Sequence, residues 1–153
     1  MNKGKQFENV IRTAFEAVPD TAVIRLPDPV QGYLGYRNIC DFIVYHYPTE
    51  YFIECKSISS DRFPFANITD NQWKGMLQMS KLKGVRAGII CWFINRDVTL
   101  FIDIRRLQEL RESNCKGIRY DAHMYNSLVY KLEGKKKRIF FDYDMKQFFK
   151  AVN

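Results

Sequence analysis

The chain has 153 residues, of which 46% are hydrophobic and 15% aromatic, and this composition excludes an intrinsically disordered chain. Its 24 Lys and Arg outnumber 17 Asp and Glu, and the resulting net charge of +7 favours a polyanionic partner such as nucleic acid. Four widely spaced cysteines without a C-x-x-C pair argue against a zinc site, and the lack of a signal peptide or a membrane-length apolar run predicts a soluble cytoplasmic domain with no membrane partner.

The first segment predicts an amphipathic helix over residues 4–18, ended by Pro19. Its apolar positions recur at helical spacing: Phe7, Val10, Ile11, Ala14, Phe15 and Val18. Glu8 lies beside this stripe and has Arg12 four residues on. The simpler interpretation of Glu8 is a surface ion pair with Arg12, and the alternative is a carboxylate that leans into a cleft.

Residues 21–26 predict a strand, and residues 30–38 predict a loop with two glycines. The loop carries Tyr33, Tyr36 and Arg37, side chains that can stack on bases or donate to phosphates. A solvated connection without function is the alternative interpretation of this loop.

Residues 39–47 and 51–57 predict two strands joined by a turn at residues 48–50, which implies an antiparallel hairpin. In the second strand Phe52, Glu54 and Lys56 share one face, because side chains of a strand alternate. Asp41 lies near the start of the first strand and therefore adjoins the end of the second. We expect Asp41, Glu54 and Lys56 to meet at one corner of the hairpin.

Beyond the hairpin the pattern predicts a loop at 58–68, a helix from 70 to about 83, strands at 85–94 and 98–102, and a helix from Asp103 to near 113. Thr69 and Gln72 match a capping box, which gives Gln72 a structural interpretation. Residues 114–127 have no clear pattern. A hairpin over 129–143 and a helix over 144–152 complete an α/β sandwich with a mixed sheet.

Two carboxylates beside a lysine suit a hard divalent cation such as Mg²⁺, which takes one or two protein carboxylates and a substrate phosphate. Asp41 and Glu54 supply those carboxylates in this interpretation, and the backbone carbonyl of Cys55 adds an oxygen. Lys56 then positions or deprotonates the attacking water, or stabilises charge on the phosphate. The predicted chemistry is metal-assisted phosphodiester hydrolysis. The alternative is a plain Glu54–Lys56 ion pair at a sheet edge.

The order Asp41-(x12)-Glu54-x-Lys56, after a helix with Glu8 and before a helix with Gln72, resembles the PD-(D/E)XK nuclease superfamily. Within it the chain is similar to the RecU-type Holliday junction resolvases, including phage-borne relatives, over residues 4 to about 104. Three stretches carry the resemblance: Gly4-Lys-Gln-Phe-Glu8, Phe52-Ile-Glu-Cys-Lys-Ser57, and Phe63-Pro-Phe65 followed by Ile68 and Gln72.

The resemblance implies a restriction-endonuclease-like three-layer α/β sandwich with a central mixed β-sheet. It implies one nuclease domain over residues 1–153, with a core at about 4–113 and a C-terminal hairpin and helix at about 128–152. It also implies that Asp41 and Glu54 bind Mg²⁺, for which Mn²⁺ substitutes, that Lys56 serves the water, and that Glu8 and Gln72 complete the catalytic site.

Two departures from the family concern the first strands. RecU proteins carry a long stalk insertion where this chain has only residues 27–38, and Cys40 replaces the Thr that often precedes the catalytic Asp. Pro27-Asp28 is a literal "PD" between strand patterns, so we interpret Asp28 as an accessory carboxylate and Asp41 as the metal ligand.

The leading hypothesis is a Mg²⁺-dependent, structure-selective endodeoxyribonuclease that resolves four-way junctions in recombination or branched-DNA processing, as a homodimer. The expected DNA contacts are Arg25, Tyr33, Tyr36, Arg37, Lys135, Lys136, Lys137 and Arg138. Three alternatives stay open: a restriction-like or repair nuclease on duplex, flap or single-stranded DNA, an RNA or tRNA nuclease, and a non-catalytic nucleic-acid-binding module.

Overall fold

The computed structural model describes residues 2–27, 37–122 and 128–152. In these ranges the helices are α1 Lys3–Glu16, α2 Asp70–Met79, α3 Ile104–Glu112 and α4 Met145–Val152. The strands are β1 Thr21–Arg25, β2 Phe42–His46, β3 Thr49–Ile58, β4 Arg62–Pro64, β5 Val85–Phe93, β6 Val98–Asp103, β7 Gly117–Arg119, β8 Val129–Lys131, β9 Gly134–Lys136 and β10 Phe141–Tyr143. No helix in these ranges is long and apolar enough to cross a membrane.

A six-stranded sheet of order β1-β2-β3-β5-β6-β8 forms the middle layer. Strands β3 and β5 run parallel, and the other neighbours in this sheet are antiparallel, so the sheet is mixed. Helices α1 and α4 pack on one face and form the first core with the sheet, while α2 and α3 pack on the other face and form the second core. The predicted α/β sandwich with a central mixed sheet is confirmed.

The two cores explain the residue pattern of the central strands. In β5 every residue from Ala87 to Phe93 is buried, because helices cover both faces of the sheet. In β3 Tyr51 and Ile53 face the first core, whereas Phe52 faces the second. The alternation predicted for this strand is confirmed, and it directs Glu54 and Lys56 toward the α2 side of the sheet.

A short polar side chain begins each of the four helices, and at α4 Asp144 Oδ1 accepts the Gln147 N–H. The side chain of Asn2 accepts the Lys5 N–H, and Thr69 and Gln72 form the predicted capping box. Asp103 begins α3 as predicted, by accepting the Arg105 N–H. Although fully buried, Asp103 is neutralised by ion pairs with Arg86 at 2.8 Å and Arg105 at 2.9 Å.

Several predicted boundaries are wrong. Helix α1 ends at Glu16 and α2 ends at Met79, both earlier than predicted. The predicted loop at 58–68 contains β4, and the unpatterned residues 114–127 contain β7, which pairs with β4. Strands of three residues are too short to show a period, and their backbone hydrogen bonds depend on a partner far along the chain.

The hairpin predicted over residues 129–143 is a larger error. Strand β8 instead joins the main sheet as the neighbour of β6, with Val129 opposite Ile102. Strands β9 and β10 form a separate two-stranded ribbon in which Lys136 pairs with Phe141. The apolar edge of β6 offers β8 a better-buried partner than β10 does, and local patterning carries no information about that competition.

The side chain of Phe148 on α4 contacts three other elements in the first core. Its ring lies 5.5 Å from that of Phe15 on α1, 5.6 Å from Tyr51 on β3 and 5.2 Å from Phe101 on β6. Aromatic rings at these separations add to the energy of simple apolar burial. Helix α4 is therefore an integral part of the core.

We expect Phe148→Ala to lower the free energy of unfolding by about 3–5 kcal/mol, because it leaves a cavity among fully buried rings. Urea unfolding followed by circular dichroism measures this loss. As the matched control, Leu82→Ala should change stability by no more than about 0.5 kcal/mol, because Leu82 is 55% exposed. A Phe148→Ala protein as stable as the Leu82→Ala protein would contradict this account of α4.

Candidate active site

The site lies where the pairing of β2 with β3 ends. Strand β2 begins at Phe42, opposite Ile53, so from Glu54 onward β3 has only β5 as a neighbouring strand in the described part of the chain. Asp41 closes this boundary: its N–H donates to the Ile53 carbonyl at 3.0 Å, and its Oδ2 accepts the Cys55 N–H at 2.8 Å. The Asp41 carboxylate is thus held against β3 beside Glu54.

Glu54 and Lys56 leave β3 on the same face, as predicted, and contact each other. The Lys56 Nζ lies 3.2 Å from Glu54 Oε2. Glu54 is 5% exposed, while the Lys56 side chain is 22% exposed. A buried carboxylate is thus paired with a partly exposed ammonium that can reach both the site and solvent.

Gln72 connects the N-terminus of α2 to this pair. Its Nε2 donates to Glu54 Oε2 at 2.9 Å, while its Oε1 accepts the Thr69 N–H at 3.0 Å. The Gln72 N–H in turn donates to Thr69 Oγ1 at 3.1 Å. The capping box is confirmed: it uses the amide oxygen of Gln72 and leaves the amide nitrogen to donate to Glu54. A catalytic role for Gln72 stays a prediction.

Glu8 reaches the same region from α1 on the opposite face of the sheet. It is 7% exposed, and its oxygens lie 3.1 Å from Arg25 Nε and 3.8 Å from Lys5 Nζ. The predicted ion pair with Arg12 is wrong, because Arg12 instead contacts Glu16 at 2.9 Å. Glu8 is instead buried beside Arg25, and the alternative of a carboxylate that leans into a cleft stays a prediction.

Burial raises the pKa of both hairpin carboxyls. For Asp41 burial raises the pKa to about 6, with the Cys55 N–H and Lys56 opposing the rise and Glu8 adding to it. For Glu54 burial raises the pKa to about 7, with repulsion from Asp41 adding to it and Lys56 opposing it. Asp41 and Glu54 are close enough for repulsion to contribute to these shifts, and Glu8 repels both, so a cation beside Asp41 and Glu54 would stabilise their charged forms.

The donor set fits a hard divalent cation. The described residues contain no group of three or more His, Cys, Asp or Glu side chains that could hold a metal ion. Mg²⁺ needs only one or two carboxylates, with water and phosphate completing its shell. The hydrogen bonds described above occupy Asp41 Oδ2 and Glu54 Oε2, which leaves Asp41 Oδ1 and Glu54 Oε1 available as ligands.

Sequence reasoning missed Lys5. Its positive charge lowers the pKa of Asp41, and it lies three residues before Glu8, so both belong to the same turn of α1. The i,i+3 spacing of an amphipathic helix was the available signal. Arg25, predicted to contact DNA, lies in the same cluster as the partner of Glu8.

The other predicted DNA contacts lie elsewhere. Asp28, Tyr33 and Tyr36 fall outside the described residues, and Arg37 is exposed. The remaining four, Lys135, Lys136, Lys137 and Arg138, are exposed on and after β9, and Lys136 pairs with Asp97 at 3.1 Å. In the described part of the chain none of these four contacts Asp41, Glu54 or Lys56, and their role in DNA binding stays a prediction.

Without metal the protein should lose stability as the pH rises from about 4 to about 7. The pKa values of about 6 for Asp41 and about 7 for Glu54 exceed the ordinary values, so the folded chain binds these protons more tightly than the unfolded chain. This proton binding stabilises the folded chain fully below about pH 4, the ordinary pKa of these carboxyls. The stabilisation is lost as the pH rises through 6–7, where the carboxyls of the folded chain ionise. We expect a loss on the order of 1–3 kcal/mol.

Urea unfolding in chelator across this pH range measures the effect. Glu54→Gln should flatten the decline, because the variant has no carboxylate to deprotonate at that position. Glu112→Gln, at an exposed position on α3, should decline as the parent does. Equal declines in the parent and in Glu54→Gln would contradict the raised pKa of Glu54.

Comparison with known proteins identifies the family. The family model described as RecU, Recombination protein U, matches residues 25–143. No curated protein matches the chain. A solved structure of Archaeoglobus fulgidus Hjc, a Holliday junction resolvase from an archaeal hyperthermophile, matches with a TM-score of 0.49 and 16% identity over 67% of this chain and 78% of that chain. The family match covers more than half of the chain. The chain belongs to the RecU family of Holliday junction-resolving endonucleases.

Proposed function

We propose that this chain cuts four-way DNA junctions by Mg²⁺-dependent hydrolysis at the corner formed by Asp41, Glu54 and Lys56. The observation that carries the proposal is the placement of these three side chains where β2 ends, with Cys55 N–H and Gln72 fixing the two carboxylates. Site groups held by hydrogen bonds before substrate arrives need little rearrangement during the reaction.

Asp41 Oδ1, Glu54 Oε1 and the Cys55 carbonyl are the proposed ligands of Mg²⁺, with Mn²⁺ as a substitute. The N–H and C=O of one strand residue point to the same side, so the Cys55 carbonyl faces the side on which its N–H meets Asp41. When bound, the ion would acidify a coordinated water and neutralise charge on the scissile phosphate.

Lys56 is proposed to position the attacking water and to stabilise negative charge on the phosphate. The contact of its Nζ with Glu54 Oε2 holds the ammonium beside the proposed ligands. Its partial exposure leaves N–H donors free to turn toward substrate, since an ammonium has three donors and this contact uses one.

Gln72 and Glu8 are proposed to complete the site from the two helical layers. Gln72 fixes the Glu54 carboxylate by its hydrogen bond to Oε2, and so directs Oε1 away from α2. Glu8 holds Arg25 and Lys5 at the border of the site, where their positive charges can meet a phosphate.

We also infer that residues 1–153 form one nuclease domain that works as a homodimer. The packing of α4 into the same core as α1 supports a single domain. Symmetric incision of a four-way junction needs two active sites related by a two-fold axis, which supports the dimer.

A second candidate function concerns the substrate. Only residues 27–38 occupy the place of the long RecU stalk, and this short segment favours a nuclease that also accepts duplex, flap or single-stranded DNA. The chemistry at Asp41, Glu54 and Lys56 would be the same for both substrates.

We expect Asp41→Asn, Glu54→Gln and Lys56→Ala each to reduce junction cleavage by about 10²–10⁴-fold, because each removes a ligand or a water-positioning group. Junction binding, measured in Ca²⁺, should stay close to that of the parent. Cleavage should require Mg²⁺ or Mn²⁺ and stop in chelator. Lys74→Ala, which removes an exposed lysine of α2, serves as the control and should cut normally.

Normal cutting by the Asp41 and Glu54 variants would refute the site assignment. The substrate is tested by adding excess linear duplex to a labelled junction: persistent cutting supports a resolvase, and strong inhibition supports the second candidate. Failure to cut any DNA while cutting RNA would assign the site to an RNA nuclease, and failure to cut either would leave a non-catalytic binding module.

Sedimentation equilibrium should give twice the mass of one chain at concentrations that support cleavage, because the two incisions need paired sites. Mixing parent chains with an excess of Glu54→Gln chains should yield products nicked on one strand, because most parent chains then pair with an inactive partner. A monomer that cuts both strands with full activity would contradict the dimer.

A further inference from the structure

Strands β4 and β7 form a small ribbon with two arginines directly opposite each other. Arg62 is the register partner of Arg119, while the next pair, Phe63 and Ile118, is buried in the second core. Partners in an antiparallel pair share a face, so both guanidinium groups lie on the exposed face of the ribbon. Like charges in opposed positions destabilise a strand pair, so this arrangement needs a compensating reason.

Arg119 has a counter-charge nearby, and among the described residues Arg62 has none. The Arg119 Nε donates to Asp121 Oδ1 at 3.2 Å. In the described part of the chain no carboxylate lies within ion-pair distance of Arg62. Stability alone therefore does not account for a cation at position 62.

The Arg62 side chain lies across Gly117 on the neighbouring strand. A Cβ at Gly117 would be 2.6 Å from Arg62 Nε and 2.7 Å from the Phe63 carbonyl oxygen. Only glycine leaves room for this close approach. The guanidinium is thus laid along the ribbon surface rather than extended freely into solvent.

Tyr120 places a third arginine beside the first two. The Cζ atoms of Arg96 and Arg119 lie 4.9 Å and 5.4 Å from the centroid of its ring. Two hydrogen bonds of 2.9 Å and 2.8 Å fix Arg96 on Asp61. We call Arg62, Arg96, Arg119 and Tyr120 the arginine cluster. Its guanidinium groups are oriented before any ligand arrives, which reduces the entropic cost of binding.

The arginine cluster lies past the C-terminal ends of β3 and β5. Glu54 and Lys56 of the active site lie near the same end of β3. Asp61 comes five residues after Lys56, which corresponds to about 16 Å along an extended chain. The ribbon also packs on the second core, the side of the sheet toward which Lys56 projects. A duplex that enters the active site has phosphates at about 3.4 Å of axial rise per strand, so several of them span this distance.

Positive charge continues past the ribbon. Lys116 and Arg111 are exposed, and both line a surface cavity of about 500 Å³ next to Phe65. The Cζ of Arg111 lies 4.7 Å from the centroid of the Trp73 ring, so it too is oriented by an aromatic side chain. Exposed cations therefore extend beyond the arginine cluster to Arg111 and Lys116.

We propose that the arginine cluster binds the phosphate backbone of the DNA arm that leaves the active site, with Arg62 as its uncompensated contact. The proposal rests on the proposed nuclease function and adds a second DNA-contacting surface, separate from the basic segment after β9. Phosphate oxygens would supply the counter-charge that Arg62 lacks and relieve its repulsion with Arg119.

The test compares stability and salt dependence of binding in Arg62→Gln. Binding of the full chain to a labelled four-way junction is measured in Ca²⁺ over a range of salt concentrations. The slope is that of the logarithm of the binding constant against the logarithm of the salt concentration. Loss of one phosphate contact should reduce its magnitude by about 0.9, and the double variant Arg62→Gln/Arg119→Gln should reduce it by about 1.8. The thermal midpoint of Arg62→Gln should stay equal or rise, because the variant removes a repulsive pair.

Two controls separate binding from structure. Arg62→Lys keeps the charge and should keep the slope within about 0.3 of the parent value. Lys146→Gln with Lys150→Gln removes two charges from α4 on the opposite face of the sheet, and should leave the slope unchanged. A lower midpoint with an unchanged slope in Arg62→Gln would show a structural role and overturn the proposal.

The experiment also distinguishes the two proposals. If the parent cuts no DNA but Arg62→Gln still lowers the salt slope, the proposed function fails and the arginine cluster remains a DNA-binding surface. If the parent cuts junctions and Arg62→Gln binds them with an unchanged slope, the arginine cluster proposal fails alone. If acidic peptides compete as well as DNA of equal charge, backbone recognition is refuted.

Discussion

The hydrogen bond from the Cys55 N–H to Asp41 Oδ2, 2.8 Å long, is the contact on which the site depends. It forms where the pairing of β2 with β3 stops. There the Asp41 carboxylate, and not a backbone carbonyl of a neighbouring strand, accepts the Cys55 N–H. A backbone N–H near the core must find an acceptor, so this requirement holds the Asp41 carboxylate in place. Two carboxylates then meet beside Lys56 at an opening in the sheet.

That opening lets both helical layers contribute. Because β3 has a described neighbour on only one side after Ile53, α1 can bring Glu8 from one face and α2 can bring Gln72 from the other. Each helix is anchored in its own core by buried rings, so the polar groups are held by apolar packing. The polar groups of the candidate site thus come from both helical layers and from the β2–β3 corner, as the proposed positioning of a phosphate would require.

Three basic side chains surround the carboxylates of the candidate site. Asp41 and Glu54 repel each other, Glu8 repels both, and burial makes the charged forms of Asp41 and Glu54 less favourable still. Lys56 opposes this from β3, while Lys5 and Arg25 oppose it from the border of the site. In the proposed function this group of charges would favour a bound cation and an anionic substrate, and the arginine cluster would extend the attraction along the surface.

Local pattern by itself determined the amphipathic face of α1, the tight turn between β2 and β3, and the alternation that directs Glu54 and Lys56 to one side. These features depend on neighbours a few residues away, so they can be predicted from sequence. The meeting of Asp41 with Glu54 followed from antiparallel register alone. Tertiary structure decided that Glu8 pairs with Arg25 rather than Arg12, that β8 joins β6, and that Arg62 faces Arg119. Those contacts depend on competition between partners that are distant along the chain. Local spacing in the sequence carries no information about the burial or charge of such partners.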